Sequence, residues 1–375
     1  MAIFASIILV LCLMLVVYPF AIYPKILERM PRVRPVRKVE TGKLTYALLF
    51  CAYNEEKALP ETIANLRRIK AVWPELRILA YSDCSSDRTY ELLSQASDVL
   101  EAFEGRVRLG KPAGMRRLVE EAASDIVIFM DANVIIDPQT IRRFETYFAD
   151  PSIGCVAGKL RYVNEGESAV AAVGALYWRL EERIKQLESE TGSTMGADGS
   201  LFAMRRRYYP EVREDLQDDF LASMEVLFHG LRCVSAPDLL AYEKAATSTS
   251  SEFRRKRRIA CGAFSTHRHM WRRVRSLPAR DRFKYVSHKL LRWFGAVFIV
   301  IGVAAAAVLS AELGLLDWFV VAMLLVTAAA IVGTRLGISP VSKAVSILTA
   351  MVATSVGVFE SILGARYAIW NPADR

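Results

Sequence analysis

The sequence predicts an α/β fold: a doubly wound, mostly parallel sheet flanked by transmembrane α-helices. Two observations carry this. Short apolar blocks alternate with segments of helical periodicity between residues 45 and 131, and long apolar runs stand at both ends of the chain. Composition agrees, because 53% hydrophobic residues is high for a soluble enzyme and 24% charged residues is too many for a mostly membrane-buried one. The two must be segregated along the 375 residues.

The first element is the run from Ala2 to Ile22, which carries no charge until Lys25 and matches the ~20 residues a helix needs to cross the hydrocarbon. A cleaved signal peptide would have a basic start and a small-residue cleavage site, whereas this segment has neither and ends at Tyr18-Pro19. Lys25, Arg29, Arg32, Arg34, Arg37, Lys38 and Lys43 follow, a basic flank expected on the cytoplasmic side.

The alternating segment then begins. Thr45 to Ala52 (TYALLFCA) reads as a buried strand and Pro60 to Val72 as a helix. Arg77 to Tyr81 is the next strand, and Asp87 to Ala96 a helix capped by Ser85 or Ser86. Pro112 to Ala123 is helical, and Ile126 to Met130 (IVIFM) is a strand stopping at Asp131. In such a sheet ligands bind at the carboxyl ends of the strands, where the polar turns Ala52–Glu56 (AYNEE), Ser82–Thr89 (SDCSSDRT) and Asp131–Asn133 (DAN) converge. Neither GxGxxG after the first strand nor GxxxxGK[ST] is present, so neither the usual dinucleotide fold nor a P-loop is supported.

Beyond the middle domain, Phe264 to Arg292 is basic with interleaved aromatics and reads as a pair of amphipathic helices on the membrane surface. Its His267 and His269 are expected at the surface. Phe294 to Ser310 and Leu315 to Thr334 read as spans, while Val345 to Gly364, with Glu360 near its end, reads as a third span or a re-entrant helix. The expected boundaries are 1–24 for the first membrane helix, 25–43 for a basic cytoplasmic linker, 44–262 for the α/β domain, 263–292 for interfacial helices and 293–375 for a region with two or three spans.

The net charge of +9 sits largely at the membrane flanks, which points to anionic lipid as partner; no nucleic-acid-binding signature accompanies it. The six cysteines lack metal spacing and fit reduced thiols in the cytosol. The spans carry too few polar residues to form a transport pathway.

A sugar diphosphate leaving group needs its charge neutralised, commonly by a carboxylate-held divalent cation, and an acceptor hydroxyl needs a separate carboxylate base. AYNEE, SDCSSDRT, Gly110-Lys111, DAN and Gln217-Asp218-Asp219 followed by Gly230 occur in this order over roughly Thr45 to Gly262. Together they resemble the inverting family-2 glycosyltransferases of GT-A fold, and the flanking membrane segments resemble those of the polysaccharide-synthase branch.

The resemblance implies site residues. Ala52, Tyr53 and Glu55 would border the base and ribose of a nucleotide-sugar donor, Asp83 would contact the nucleoside, and Lys111 would lie near the diphosphate. Asp131 matches the first acid of the DxD turn, which meets nucleotide and metal (Mg2+ or Mn2+); Asn133 stands in place of the second acid and brings an amide oxygen without charge. Asp219 falls at the final acid of a TED-like motif and is the expected general base, with Asp218 as its neighbour. A carboxylate placed there only to favour a helix N-terminus is the structural alternative. Gly199 and Ser200, in Gly196–Ser200 (GADGS), match the small-residue acceptor loop, or form a plain turn.

Arg258 matches the arginine of the QxxRW motif and would grip the diphosphate, while the other arginines of Arg254–Arg258 (RRKRR) are expected on a solvated helix face. Arg255 replaces the glutamine and Ile259 the tryptophan, which removes an aromatic surface used in processive synthesis. The activity the resemblance implies is inverting transfer, with a UDP-sugar as the expected donor, to a hydroxyl of a lipid-linked or polysaccharide acceptor at the inner or plasma membrane, with the catalytic domain cytoplasmic. A processive synthase and a non-catalytic membrane protein binding nucleotide or glycan are the alternatives.

Overall fold

A computed structural model describes residues 1–33, 42–164, 169–244, 249–367 and 369. Arg34, Arg37 and Lys38 of the basic flank lie outside the described residues. The chain opens with α1 (Ala2–Val17), passes through a π turn at Tyr18–Ile22 and continues as α2 (Tyr23–Arg29). The π turn coincides with Pro19, which has no N–H for the helical ladder.

The middle domain then follows as β1 (Tyr46–Ala52), α3 (Leu59–Val72), β2 (Arg77–Ser82), α4 (Thr89–Gln95), β3 (Glu101–Glu104), α5 (Lys111–Ala122) and β4 (Ile126–Asp131). Next come β5 (Ile135–Ile136), α6 (Arg143–Phe148), β6 (Ile153–Tyr162), α7 (Ala169–Glu190), β7 (Leu201–Arg205), α8 (Asp218–Phe228) and β8 (Arg232–Glu243). The strands form one mixed sheet in the order β3-β2-β1-β4-β7-β6-β8-β5. The β3-β2-β1-β4 half is parallel throughout, whereas β7 enters antiparallel between β4 and β6.

Alternation along the strands explains the two-sided core. On β1, Leu48 and Phe50 face one apolar layer with Leu66, Ile128 and Phe144; Ala47 and Leu49 face the other with Phe129, Met224 and Phe264. Both faces are covered by helices, so the strands read as continuous apolar runs. The helix over Thr89–Gln95 is capped by Asp87, whose Oδ1 accepts the Thr89 N–H at 3.0 Å, and not by Ser85 or Ser86, which bond to the neighbouring loop at Asn54.

The C-terminal part begins with one long helix, α9 (Thr249–Ser276), then α10 (Ala279–Tyr285), a π turn (Val286–Leu290) and α11 (Leu291–Trp293). Three long helices follow: α12 (Gly295–Glu312), α13 (Leu316–Arg335) and α14 (Ser339–Ile362). Together with Ala2–Arg29 these are four helices long and apolar enough to cross a membrane, and Leu13, Val300, Leu324 and Val326 remain exposed on their faces. Glu360 is not a bare charge in the last of them: Arg257 of α9 pairs with it at 2.7 Å.

α14 lies hard against α9, because a side chain at Gly357 would strike the Arg257 carbonyl oxygen. Val358 and Trp293 join the same core layer as Phe264 and Met224, which ties the membrane helices to the sheet domain. A second tie is polar and buried. The two ring nitrogens of His288 meet Glu188 at 2.9 Å and Glu181 at 2.8 Å, Arg292 pairs with Glu181, and Tyr23 donates to Glu188 at 2.6 Å. Burial would raise the Glu188 carboxyl, but His288, the Tyr23 hydroxyl and the Met195 N–H hold it down at about 2.

Candidate active site

The carboxyl ends of β1, β2 and β4 are in register, with Cys51 beside Asp131 and Ala52 beside Ser82. The loops that follow β1 and β2 are laced together. Asn54 Oδ1 accepts the Ser86 N–H at 2.9 Å, the Glu55 N–H donates to Thr89 Oγ1 at 2.8 Å, and the Glu56 N–H donates to Asp87 at 3.1 Å. Asn54 and Cys84 both adopt left-handed backbone conformations (φ 51° and 55°), a strained geometry of the kind that clusters at functional sites. Tyr53 lies under the Arg108 guanidinium, 3.6 Å from its ring centroid.

Asp83 is buried, and its carboxylate accepts the backbone N–H of Leu109 at 3.0 Å and of Gly110 at 2.8 Å. That clamp positions the start of α5. Gly110, at φ 88°, makes the turn there, and Lys111 follows at the helix's first position.

Lys111 Nζ reaches Asp131 Oδ1 at 2.5 Å. Burial disfavours the ammonium, but Asp131, Asp218 and Asp219 outweigh it and hold Lys111 above its ordinary value. The antiparallel β7 brings in the acceptor-loop candidate, since Leu201 pairs with Met130 and so places Gly199 and Ser200 beside the end of β4. A Cβ at Gly199 would stand 3.1 Å from Lys111 Nζ and 3.2 Å from Asp219 Oδ2, so the glycine lets the backbone approach both.

Asp219, like its neighbour Asp218, is buried. Its Oδ1 accepts the Phe220 N–H at 2.7 Å in the first turn of α8. Burial pushes the carboxyl up to about 7, Asp218 adds to this, and Lys111 opposes it. A carboxyl that titrates near neutrality suits proton transfer at cellular pH.

On the other side of Asp131, the Asn133 side-chain amide donates to the buried Glu243 at 3.2 Å. Glu243 ends β8, paired with Tyr162 at the end of β6, and so supplies a carboxylate beside the position where Asn133 brings none. Arg255 and Arg258, one turn apart on α9, complete the ring. Burial works against the Arg255 charge, but Tyr162, Glu252, Glu243 and Asp131 raise it. Burial and the neighbouring Arg255 lower Arg258 to about 10, against the pull of Asp131 and Asp219.

The expectation of a solvated face for the other arginines is therefore corrected at Arg255, which lies among Tyr162, Glu252, Glu243 and Asp131, and at Arg257, which pairs with Glu360 of the overlying α14. The surface assignment of His267 is also corrected: it is buried among Phe264, Trp271, Tyr285 and Trp293, with Nδ1 2.8 Å from the Tyr285 hydroxyl. Burial lowers it to about 4. Sequence reasoning missed Glu243, Arg255 and Tyr209, whose buried hydroxyl has no hydrogen-bond partner near Asp218 and Lys111. The signal available for Glu243 is the same one that marked Asp131: an acid closing a short apolar run, here Leu239 to Tyr242 (LLAY).

Asp131, Asn133 and Glu243 present oxygen donors of the kind hard divalent cations take. Among the described residues no three acidic, histidine or cysteine side chains are gathered to hold such an ion by themselves.

The chain is similar to several characterised proteins. It is 23% identical over 199 residues to poly-beta-1,6-N-acetyl-D-glucosamine synthase of Staphylococcus aureus (strain COL), covering 50% of this chain and 47% of that protein. It is 34% identical over 105 residues to undecaprenyl-phosphate 4-deoxy-4-formamido-L-arabinose transferase of Pectobacterium carotovorum, covering 26% of this chain and 31% of that one. The chain thus spans about half the length, or less, of the curated relatives it matches. Among solved structures, a mannosyltransferase from Pyrobaculum calidifontis in complex with GDP-Man and Mn2+ shares the fold, with a TM-score of 0.72 at 19% identity over 95% of this chain and 99% of that one. Residues 44–262, more than half of the chain, match the glycosyltransferase-like family 2 model, and with acids and cations gathered at one sheet edge beside helices long and apolar enough to cross a membrane, the chain belongs to that family.

Proposed function

We propose that this glycosyltransferase moves a sugar, with inversion, from a nucleotide-sugar donor to a hydroxyl of a lipid-linked or polysaccharide acceptor in cell-surface or exopolysaccharide biosynthesis. The observation that carries the reading is one buried carboxyl, Asp219, held at about 7 beside Lys111 and facing the same centre as Arg258 and Asp131. Asp219 takes the acceptor proton as the new bond forms. Lys111, Arg255 and Arg258 stand where negative charge develops on the departing diphosphate, and a fixed cation there lowers the barrier without reorganising. A single carboxylate base opposite the leaving group makes the displacement invert the anomeric centre.

Asp131 and Asn133 would hold Mg2+ or Mn2+. Such an ion would supply positive charge to offset that of the diphosphate. Ala52, Tyr53, Glu55 and Asp83 border the pocket end where the nucleoside enters, and Gly199 and Ser200 leave room for the acceptor. UDP-sugars are the donor class the family resemblance implies, and GDP-mannose is the donor named with the similar structure. The basic flank after the first helix, with Lys25, Arg29 and Arg32, favours a multi-pass protein of the inner or plasma membrane with this site in the cytoplasm. Addition of one or a few sugars is favoured over polymerisation, because Ile259 offers no aromatic face to a growing chain.

The test is turnover of UDP- and GDP-sugars by the full chain in detergent, with and without Mg2+ or Mn2+, with product sizing. Metal-stimulated turnover is expected. Failure of the whole panel to bind would refute the proposal in favour of a non-catalytic role.

A further inference from the structure

Between α7 and β7 the chain runs from Thr191 to Ser200 with neither helix nor strand, yet most of this segment is buried. Buried backbone N–H groups need partners, and here side chains supply several of them in place of a ladder. The Met195 N–H and the Thr194 hydroxyl donate to Glu188 Oε2 at 3.0 and 3.2 Å, and the Ala197 N–H donates to Ser223 Oγ at 2.9 Å. One oxygen of Asp198 pairs with Lys185 Nζ at 2.8 Å, and the other accepts the Ser200 N–H at 3.4 Å. Lys185 and Glu188 are buried and lie one turn apart on α7, so one helix face grips the segment on both sides of Gly196. Asp198 adjoins Gly199, where an added Cβ would stand 3.2 Å from Asp219 Oδ2.

The second oxygen of Glu188 reaches the other way. Its Oε1 accepts the Tyr23 hydroxyl at 2.6 Å and meets His288 Nδ1 at 2.9 Å. Tyr23 opens α2, within the first long apolar stretch, and His288 lies in the π turn ahead of α12. A single buried carboxylate therefore joins both apolar ends of the chain to the segment that leads to Ser200.

We propose that Lys185 and Glu188 are positioning residues for the acceptor: from α7 they hold Gly196–Ser200 against Asp219, with Tyr23 fixing the Glu188 carboxylate from the first apolar helix. The inference rests on the glycosyl-transfer reading. Buried ionic groups add little net stability over apolar side chains of the same volume, and their best-attested use is to specify one geometry. The geometry specified here is the approach of an acceptor hydroxyl to Asp219, where a misplacement of about 1 Å costs on the order of 100-fold in rate. The donor side is held by bonds of its own, from Asp83 to Leu109 and Gly110 and between the Asn54–Glu55 and Ser86–Thr89 loops. Loosening the grip of α7 therefore slows transfer to the acceptor without weakening the hold on the donor.

The test uses the full chain in detergent as wild type, Tyr23→Phe, Lys185→Met and, as a control, Arg183→Ala. Tyr23→Phe keeps the buried ring and removes only the hydroxyl, which guards against misfolding. Arg183→Ala breaks an exposed pair with Glu28 on the same helix. Hydrogen exchange of residues 193–201 reads the grip directly. The same samples are assayed with a panel of UDP- and GDP-sugars for donor hydrolysis and for transfer to undecaprenyl phosphate and to a β-1,6-linked N-acetylglucosamine tetrasaccharide. In Tyr23→Phe and Lys185→Met, exchange of the segment should rise about tenfold or more, and kcat/KM for the acceptor should fall by a similar factor. Donor KM and donor hydrolysis should stay at wild-type values, and Arg183→Ala should behave as wild type throughout. Unchanged exchange of the segment in both variants overturns the proposal. So do transfer at the wild-type rate, transfer and hydrolysis falling together, an Arg183→Ala effect as large, or a wild type that hydrolyses donor and uses neither acceptor; in all of these donor turnover leaves the donor chemistry standing. No donor turnover by wild type refutes the transfer reading itself, and the proposal with it.

Discussion

Replacing Asp219 by asparagine separates the two consequences of burying a carboxyl. The folded chain holds this carboxyl at about 7 in place of its ordinary 3.8, chiefly through burial and the adjacent Asp218. Between those values the folded state binds a proton that the unfolded state has lost, so stability falls as pH rises from about 4 to about 7 and stays low above it. At ~1.4 kcal/mol for each tenfold in acidity, the penalty above pH 7 is roughly 4 kcal/mol. Asp219→Asn removes it. The variant is expected to melt several degrees above wild type at pH 8 and at the same temperature as wild type at pH 4, read by tryptophan fluorescence in detergent. Transfer activity should fall by about 100-fold to 10,000-fold, the usual contribution of a general base. Wild-type activity should rise with pH through about 7, as the carboxyl ionises. Equal melting at pH 8 would refute the buried-acid argument, and undiminished transfer would refute the base assignment.

Three further substitutions probe the remaining parts. Gly199→Ala pushes a methyl to 3.1 Å from Lys111 Nζ and 3.2 Å from Asp219 Oδ2, so transfer should drop at least tenfold with little change in melting temperature, as steady-state kinetics and thermal melts would show. Arg255→Ala and Arg258→Ala should each weaken nucleotide-diphosphate affinity and slow transfer, with loss of about 1.5–3 kcal/mol of binding for a charge-assisted contact; nucleoside binding should be spared. His288→Ala leaves Glu188 and Glu181 buried with fewer counter-charges and should destabilise the chain by about 3–5 kcal/mol, read from denaturant midpoints.

The strand ends were legible because each is an apolar run stopped by a polar turn: TYALLFCA ends at AYNEE, and IVIFM ends at Asp131. Parallel pairing then brings Ala52, Ser82 and Asp131 to one edge, as the register shows. The antiparallel entry of β7 was not legible, since its LFAMR carries no mark of direction and only pairing with Met130 orients it. Arg255 was hidden in a run of five basic residues, where local charge suggests solvent and the inward turn depends on Tyr162, Glu243 and Asp131, distant strand ends that only the fold brings beside α9. His267 was misplaced for the same reason: its burial is made by Tyr285 and Trp293, on segments that only tertiary packing brings together. Asn133 reads locally as a lost charge, yet the fold sets Glu243, 110 residues away, beside it.

Inverting transfer from a nucleotide sugar with Asp219 as base fixes the anomeric configuration of the first-formed product. Time-resolved proton NMR of an α-linked UDP- or GDP-sugar incubated with the full chain should show the β anomer appearing first, and Asp219→Asn should suppress it. A first-formed α product would exclude inversion, and β product at the wild-type rate from Asp219→Asn would exclude Asp219 as the base.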